Sequence, residues 1–127
     1  MAITSFTAAE TISASDVVAL NSNGLLIKAI ASNRDQASAA GVAIDSGVAG
    51  SLIRVNTDSV YNGLSSLTPG LRQYLSPTAS GSLVDYSTWQ TQFGTLTISG
   101  VYLSSIGVAL TTTAMEVEVQ RPIYVTK

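Results

Sequence analysis

The chain has 127 residues, with 8 acidic and 6 basic side chains, no cysteine, no histidine and a formal charge of −2. This composition excludes disulfides, thiol chemistry, Cys/His zinc sites and histidine proton relays, and it offers no basic footprint for nucleic acid. Charged residues make up only 11% of the chain, against about 25% in an ordinary soluble domain.

The 18 serines and 14 threonines make the polar surface neutral and rich in hydroxyls. A freely diffusing monomer keeps more charge for solubility. The composition therefore points to a structural protein that packs against copies of itself or against a larger assembly. The length suits one domain, whose folded surface should be roughly 6,400 Å². No apolar run approaches the roughly 18 residues of a membrane span. The opening MAITSFTAAE has no basic region followed by an apolar stretch, so it does not read as a secretory signal. The lack of cysteine fits a reducing compartment.

Residues 1–14 are small and polar, with Ile3, Phe6 and Ile12 as isolated apolar points. They have too little to bury alone and read as an extended N-terminal arm, with an edge strand as the alternative. Residues 15–127 read as the β domain. Residues 16–20 and 25–29 form a hairpin around the Asn21-Ser22-Asn23-Gly24 turn. Residues 31–40 are a loop or one short helical turn. Residues 41–45 and 51–56 are strands on either side of a Gly/Ser turn. Pro69-Gly70 suits a type II turn. Strands follow at 72–76 and 82–86, flanking a turn at 77–81. Residues 87–94 carry Trp89 and read as a loop or helical turn.

Residues 95–99 and 101–103 alternate with a period of two. So do residues 115–120, with Met115, Val117 and Val119 on one face. Pro122 ends that strand or sets it at an edge. No stretch of ten residues has a helical period, so the expected fold is all-β: a small single-domain barrel or sandwich of short hairpins. Gly41-Val42-Ala43-Ile44 recurs as Gly107-Val108-Ala109-Leu110. Val18-Ala19-Leu20 with Gly24-Leu25-Leu26 parallels Gln73-Tyr74-Leu75 with Gly81-Ser82-Leu83. These matches suggest two related halves. The competing reading is that short hairpins in a Gly/Ser-rich chain resemble one another.

The segments ISASDVVALNSNGLL (12–26), AAGVAIDSGVAGSLIRV (39–55), LTPGLRQYLSPTASGSL (67–83) and IGVALTTTAMEVEVQRPI (106–123) resemble, in order and spacing, small virion proteins of tailed bacteriophages. That group includes capsid cement or decoration proteins. The resemblance implies a β-rich module on the outer surface of a phage capsid, often a homotrimer, bound to the major capsid protein and made in the host cytoplasm. It implies no catalytic residues and no cofactor. On this reading Ile3, Phe6 and Ile12 anchor the arm on the capsid by main-chain pairing. Deleting residues 2–14 would then abolish capsid binding and leave the body folded. A head-fibre base or tail-associated protein is the alternative within a virion, and a small carbohydrate-binding β module is the alternative outside it.

The residues themselves offer little chemistry. Glu116 and Glu118 share a strand face roughly 7 Å apart, a spacing that inverting glycosidases use. On an amphipathic strand the pair reads as a solvated face. A serine nucleophile would need Lys28 or Lys127 as its base, and neither S-x-x-K nor G-x-S-x-G occurs. Asp16, Asp45, Asp58 and Asp85 are scattered, several beside turns, where aspartate caps backbone groups without a metal. Arg34, Arg54, Arg72 and Arg121 are isolated and form no nucleic-acid stripe. Tyr86, Trp89 and Phe93 cluster near one loop, either as core filling or as contacts to a subunit or partner. The chain is expected to be neither an enzyme, a metal protein, nor a binder of nucleic acid or membrane.

Overall fold

The computed structural model describes residues 3–33, 36–98 and 100–126. Arg34, Ser99, Lys127 and the first two residues of the expected arm lie outside them. The strands are β1 (Ile3–Thr7), β2 (Val17–Leu20), β3 (Leu26–Lys28), β4 (Ala39–Ala43), β5 (Leu52–Asn56), β6 (Val60–Tyr61), β7 (Arg72–Leu75), β8 (Leu83–Val84), β9 (Gly100–Leu103), β10 (Ser105–Ala109), β11 (Met115–Val117) and β12 (Ile123–Thr126). One helix, α1 (Tyr86–Thr95), lies between β8 and β9. Two antiparallel five-stranded sheets run β1-β5-β4-β2-β3 and β6-β11-β10-β7-β8, and β12 pairs with β9 in a two-stranded ribbon. Neither sheet closes on itself, so the barrel expectation is corrected to two open sheets. The all-β expectation is corrected to a mostly β fold with one short helix.

The two sheet orders match element for element. Substituting β6, β7, β8, β10 and β11 for β1, β2, β3, β4 and β5 turns the first order into the second. The registers match as well. Val17, Val18 and Ala19 pair with Val42, Gly41 and Ala39, and Arg72, Gln73 and Tyr74 pair with Val108, Gly107 and Ser105. Each set carries one bulge at the same place, where an extra residue in β4 or β10 shifts the ladder. Val42 and Ala43 pair with Asn56 and Val55 as Val108 and Ala109 pair with Glu116 and Met115. The recurrence of GVAI as GVAL therefore marks two halves of one topology, and α1 and β9 are an insertion in the second.

The turns repeat too, with different residues. Gly24 and Gly81 both have φ of 76° at the ends of corresponding hairpin loops. Asn21 Oδ1 accepts the N–H groups of Asn23 and Leu25, and Ser76 Oγ accepts those of Thr78 and Ala79. An amide and a hydroxyl thus satisfy the same tight turn.

The halves stack face to back. The core between the sheets joins Val17, Ala19 and Val42 of the first to Leu75, Ile106, Met115 and Val117 of the second. By the registers, Arg72 and Tyr74 correspond to Val17 and Ala19, so the second sheet contributes the opposite face. In the first sheet that opposite face holds Val18, Leu26, Ala43, Ile53 and Val55, and Ala8 and Ile12 seal it with partly buried Phe6 alongside. The accessible surface, 6287 Å², matches the area expected of a compact chain of this mass.

Several element boundaries differ from the sequence expectations. Residues 82–86 shorten to β8, because Asp85 leaves the ladder to cap α1. Residue 95 ends the helix and 96–98 are irregular, so no strand forms over 95–98, and Ser99 lies outside the described residues. The strand expected at 115–120 ends at Val117. Residues 3–7 form an edge strand on β5 over their whole length, from Ile3 opposite Asn56 to Thr7 opposite Leu52.

Candidate interaction surfaces

The sequence-selected N-terminal residues divide by position. Ile3 is 44% exposed on β1. Phe6 lies opposite Ile53 and packs partly on the first sheet's own core. Ile12 is 1% exposed and exchanges backbone hydrogen bonds of 2.9 Å with Gly47 in both directions. Ile12 therefore holds the fold together, Phe6 is shared between fold and surface, and Ile3 is available to a partner. The outer edge of β1 is open in the sheet. Its segment ITSFT carries no charge and no proline.

The aromatic cluster forms on the inserted helix. Asp85 Oδ1 accepts the Thr88 N–H at 2.8 Å, which satisfies a helix-start donor and lowers the Asp85 pKa below its ordinary value. Tyr86, Trp89 and Phe93 follow at spacings of three and four, on one side of the helix. Tyr86 and Trp89 are stacked with centroids 6.1 Å apart, Trp89 and Phe93 lie 5.1 Å apart, and Tyr74 lies 5.8 Å from Tyr86. Trp89 is 2% exposed while Tyr86 is 47% exposed. Trp89 is therefore a core residue of the insertion, and Tyr86 is the ring offered to solvent. A shallow groove of about 430 Å³ runs beside them, lined also by Gly94 and Val125.

The β9–β12 ribbon forms the next part of this surface. Tyr102 and Tyr124 face each other across the pair at 5.1 Å. Ile123 and Tyr124 of β12 are 62% and 51% exposed. The outer edge of β12 is open, and its segment IYVT is also uncharged. This strand begins just after Pro122, and its β-branched and aromatic residues are the sequence signal for it.

The polar residues are engaged in structure. The Asp45 carboxylate takes two guanidinium contacts from Arg54, at 2.8 and 3.0 Å, and the Arg54 backbone N–H at 3.0 Å. The hydrogen bond from the Arg54 side chain, with the backbone bond second, pulls the Asp45 pKa down to about 2. Asp16 Oδ2 accepts the Ser13 N–H. Glu116 and Glu118 are exposed on β11 and just beyond it, on the solvent side. Among the described residues no three His, Cys, Asp or Glu side chains are grouped to hold a metal, and no helix is long and apolar enough to cross a membrane. A concavity of about 740 Å³ is lined by Asn, Ser and Gln side chains together with Leu20, Ile27, Tyr102, Pro122 and Arg121. Among the described residues it brings together no acid–base pair.

No protein-family model matches the chain. No curated protein shows detectable similarity to it.

Proposed function

We propose that this protein is a structural virion component that decorates a phage capsid, bridging major capsid proteins, and that it assembles as a homotrimer. One observation carries the reading: two of the marginal strands, β1 and β12, present outer edges whose segments carry no charge and no proline. A protein that works alone blunts such edges with lysine, proline or a covering loop. An edge left bare is suited to accept a strand from a neighbour, with main-chain hydrogen bonds supplying adhesion and side chains such as Ile3 supplying register. The neutral surface supports the same reading. Eleven large apolar side chains are exposed among the described residues, Leu52 and Val48 most of all at 68% and 65%.

In this role the protein stiffens the shell. Each copy ties neighbouring shell subunits together and resists the outward pressure of packaged DNA. A head-fibre base or tail-associated component would use the same edges at a lower copy number. The test is the copy number of this chain in purified particles, measured by quantitative mass spectrometry against the most abundant shell protein. About one copy per shell subunit is expected. A few per hundred would move the protein to a vertex or the tail, and absence from particles would overturn the virion reading.

A further inference from the structure

Four residues cross the outer face of the second sheet in a single row. Val60 pairs with Glu116, Glu116 with Val108, and Val108 with Arg72. The corresponding row of the first sheet is Ile3, Asn56, Val42 and Val17. In the first sheet three of the four are covered: Val17 and Val42 are fully buried and Asn56 is 3% exposed, and Ile3 at the edge is exposed as Val60 is. In the second sheet the row's acidic end is uncovered among the described residues. Glu116 is exposed, Val60 is 48% exposed, and Val108 and Arg72 are only partly covered. Leu110, just past the end of β10, is 47% exposed.

Neither charge in this row belongs to an ion pair among the described residues. Among the described residues the ion pair present is Arg54 with Asp45. The Arg72 guanidinium donates to Ser105 Oγ at 2.9 Å and meets no carboxylate. Adjacent strands lie about 4.8 Å apart, so Arg72 and Glu116 stand at equal distances on either side of Val108. A row that reads acid, apolar, base is its own complement. A half-turn about an axis running along β10 sets Val108 over Val108, Arg72 of one copy over Glu116 of the other, and the reverse. Two sheets stacked face to face at about 10 Å accommodate this arrangement.

We propose that the outer face of the second sheet is a two-fold contact between two copies of this chain, centred on Val108 and fixed in register by reciprocal Arg72–Glu116 pairs. The occupant is a second copy because the charge pattern is self-complementary, as an isologous interface requires. The same face of the same topology is already an interface in the first half. This contact is independent of the virion reading and of any threefold contact, which would use other surfaces.

Sedimentation of the full chain over a range of concentrations tests it. The wild type is expected to show a concentration-dependent doubling of mass, to a dimer of single chains or of trimers. Arg72→Glu and Glu116→Arg should each weaken self-association about tenfold or more, since each homodimer then opposes like charges. An equimolar mixture of the two variants should regain the wild-type association, because one copy presents two acids and the other two bases. Val108→Lys, which sets like charges face to face at the axis, reads the same contact if either reversal fails to fold. Three outcomes would overturn the proposal: a wild type whose mass never doubles, an association indifferent to all three substitutions, or a mixture no more associated than its parts.

Discussion

Gly41 and Gly107 hold the same position in the two sheets, and at both a Cβ would fall on a carbonyl oxygen of the neighbouring strand, that of Asn56 or of Glu116. The backbone approach is so close that only a residue without a side chain fits. Gly41→Ala and Gly107→Ala are each expected to cost about 3 kcal/mol by overpacking. Gly50→Ala, at φ of 92° with open space around it, should cost about 1 kcal/mol through backbone strain alone. Urea unfolding of the three variants gives the ranking. Equal losses at Gly41 and Gly50 would remove the close approach as the reason for the glycine.

Ser15 and Gly70 make a second such pair. Both are left-handed, at φ of 78° and 88°, and their N–H groups donate at 2.8 Å to Ala43 and Ala109, which correspond. Ser15 tolerates the conformation because its hydroxyl donates to the Gly63 carbonyl at 2.9 Å and accepts from the Tyr61 hydroxyl at 2.9 Å. Ser15→Ala keeps the strain and loses both bonds, for an expected cost of about 2 kcal/mol. Ser15→Gly loses the bonds but relieves the strain, so it should be the milder change by about 1 kcal/mol. Thermal melts of both variants check the order, and alanine proving the milder of the two would contradict it.

Acid should weaken the fold through Asp45. Its carboxyl titrates at about 2 when folded, against 3.8 unperturbed. A depressed folded-state pKa means that the stabilisation is fully present above 3.8 and is lost as pH falls through about 2. Asp85, also lowered, acts in the same direction. The Arg54 side chain is 58% exposed, so solvent screening keeps the Asp45 effect modest. Denaturant unfolding at pH 5 and pH 2 should show the loss, and Asp45→Asn should reduce it. An unchanged pH dependence in that variant would rule the pair out as its source.

At the N-terminus the expected costs separate fold from surface. Ile12→Ala empties a fully enclosed site and should cost about 2–4 kcal/mol. Ile3→Ala should stay within about 0.5 kcal/mol. Deleting residues 2–14 takes Ala8 and Ile12 out of the first sheet's core, so it should unfold that sheet. Capsid binding is better tested with Ile3→Asp, which leaves the core whole. Guanidinium titrations of the two alanine variants decide the division, and comparable losses at both sites would refute it.

The hairpins were legible in the sequence where turn chemistry and strand pattern agreed. Asn21 to Gly24 and the Pro69-Gly70 turn stand where the residues place them, and the GVAI/GVAL recurrence pointed to the correct duplication. The helix was legible only as one of two readings of residues 87–94, a loop or a helical turn, because its apolar residues are few and hydroxyls and glutamines fill the rest, so its periodicity is faint. The usable signal was local: Asp85 as a cap, then aromatics at spacings of three and four. Two-residue strands such as β6 cannot be seen in advance, because only pairing with β11 defines them. The status of residues 3–7 turned on the same point. ITSFT has no core-forming pattern of its own and becomes a strand by lying along β5. Of the charges in the candidate contact, Arg72 was legible only as an isolated residue and Glu116 only as a strand-face pair with Glu118. The row that joins them exists only once β7, β10 and β11 are in register.

The unequal enclosure of the two halves also sets an order in time. The inner cluster of the first half draws all its members from residues 6–55, so it can close as soon as that length has left the ribosome. The second half has the small aromatic cluster around Trp89 to itself, but its other large buried residues Leu75, Ile106 and Met115 pack in one core with Val17, Ala19 and Val42 of the first. During synthesis the first half therefore acts as a template with a sticky face, and the second condenses on it. Until that happens the exposed valines are the moment of greatest risk for the nascent chain, when contact with another unfinished copy competes with its own missing half.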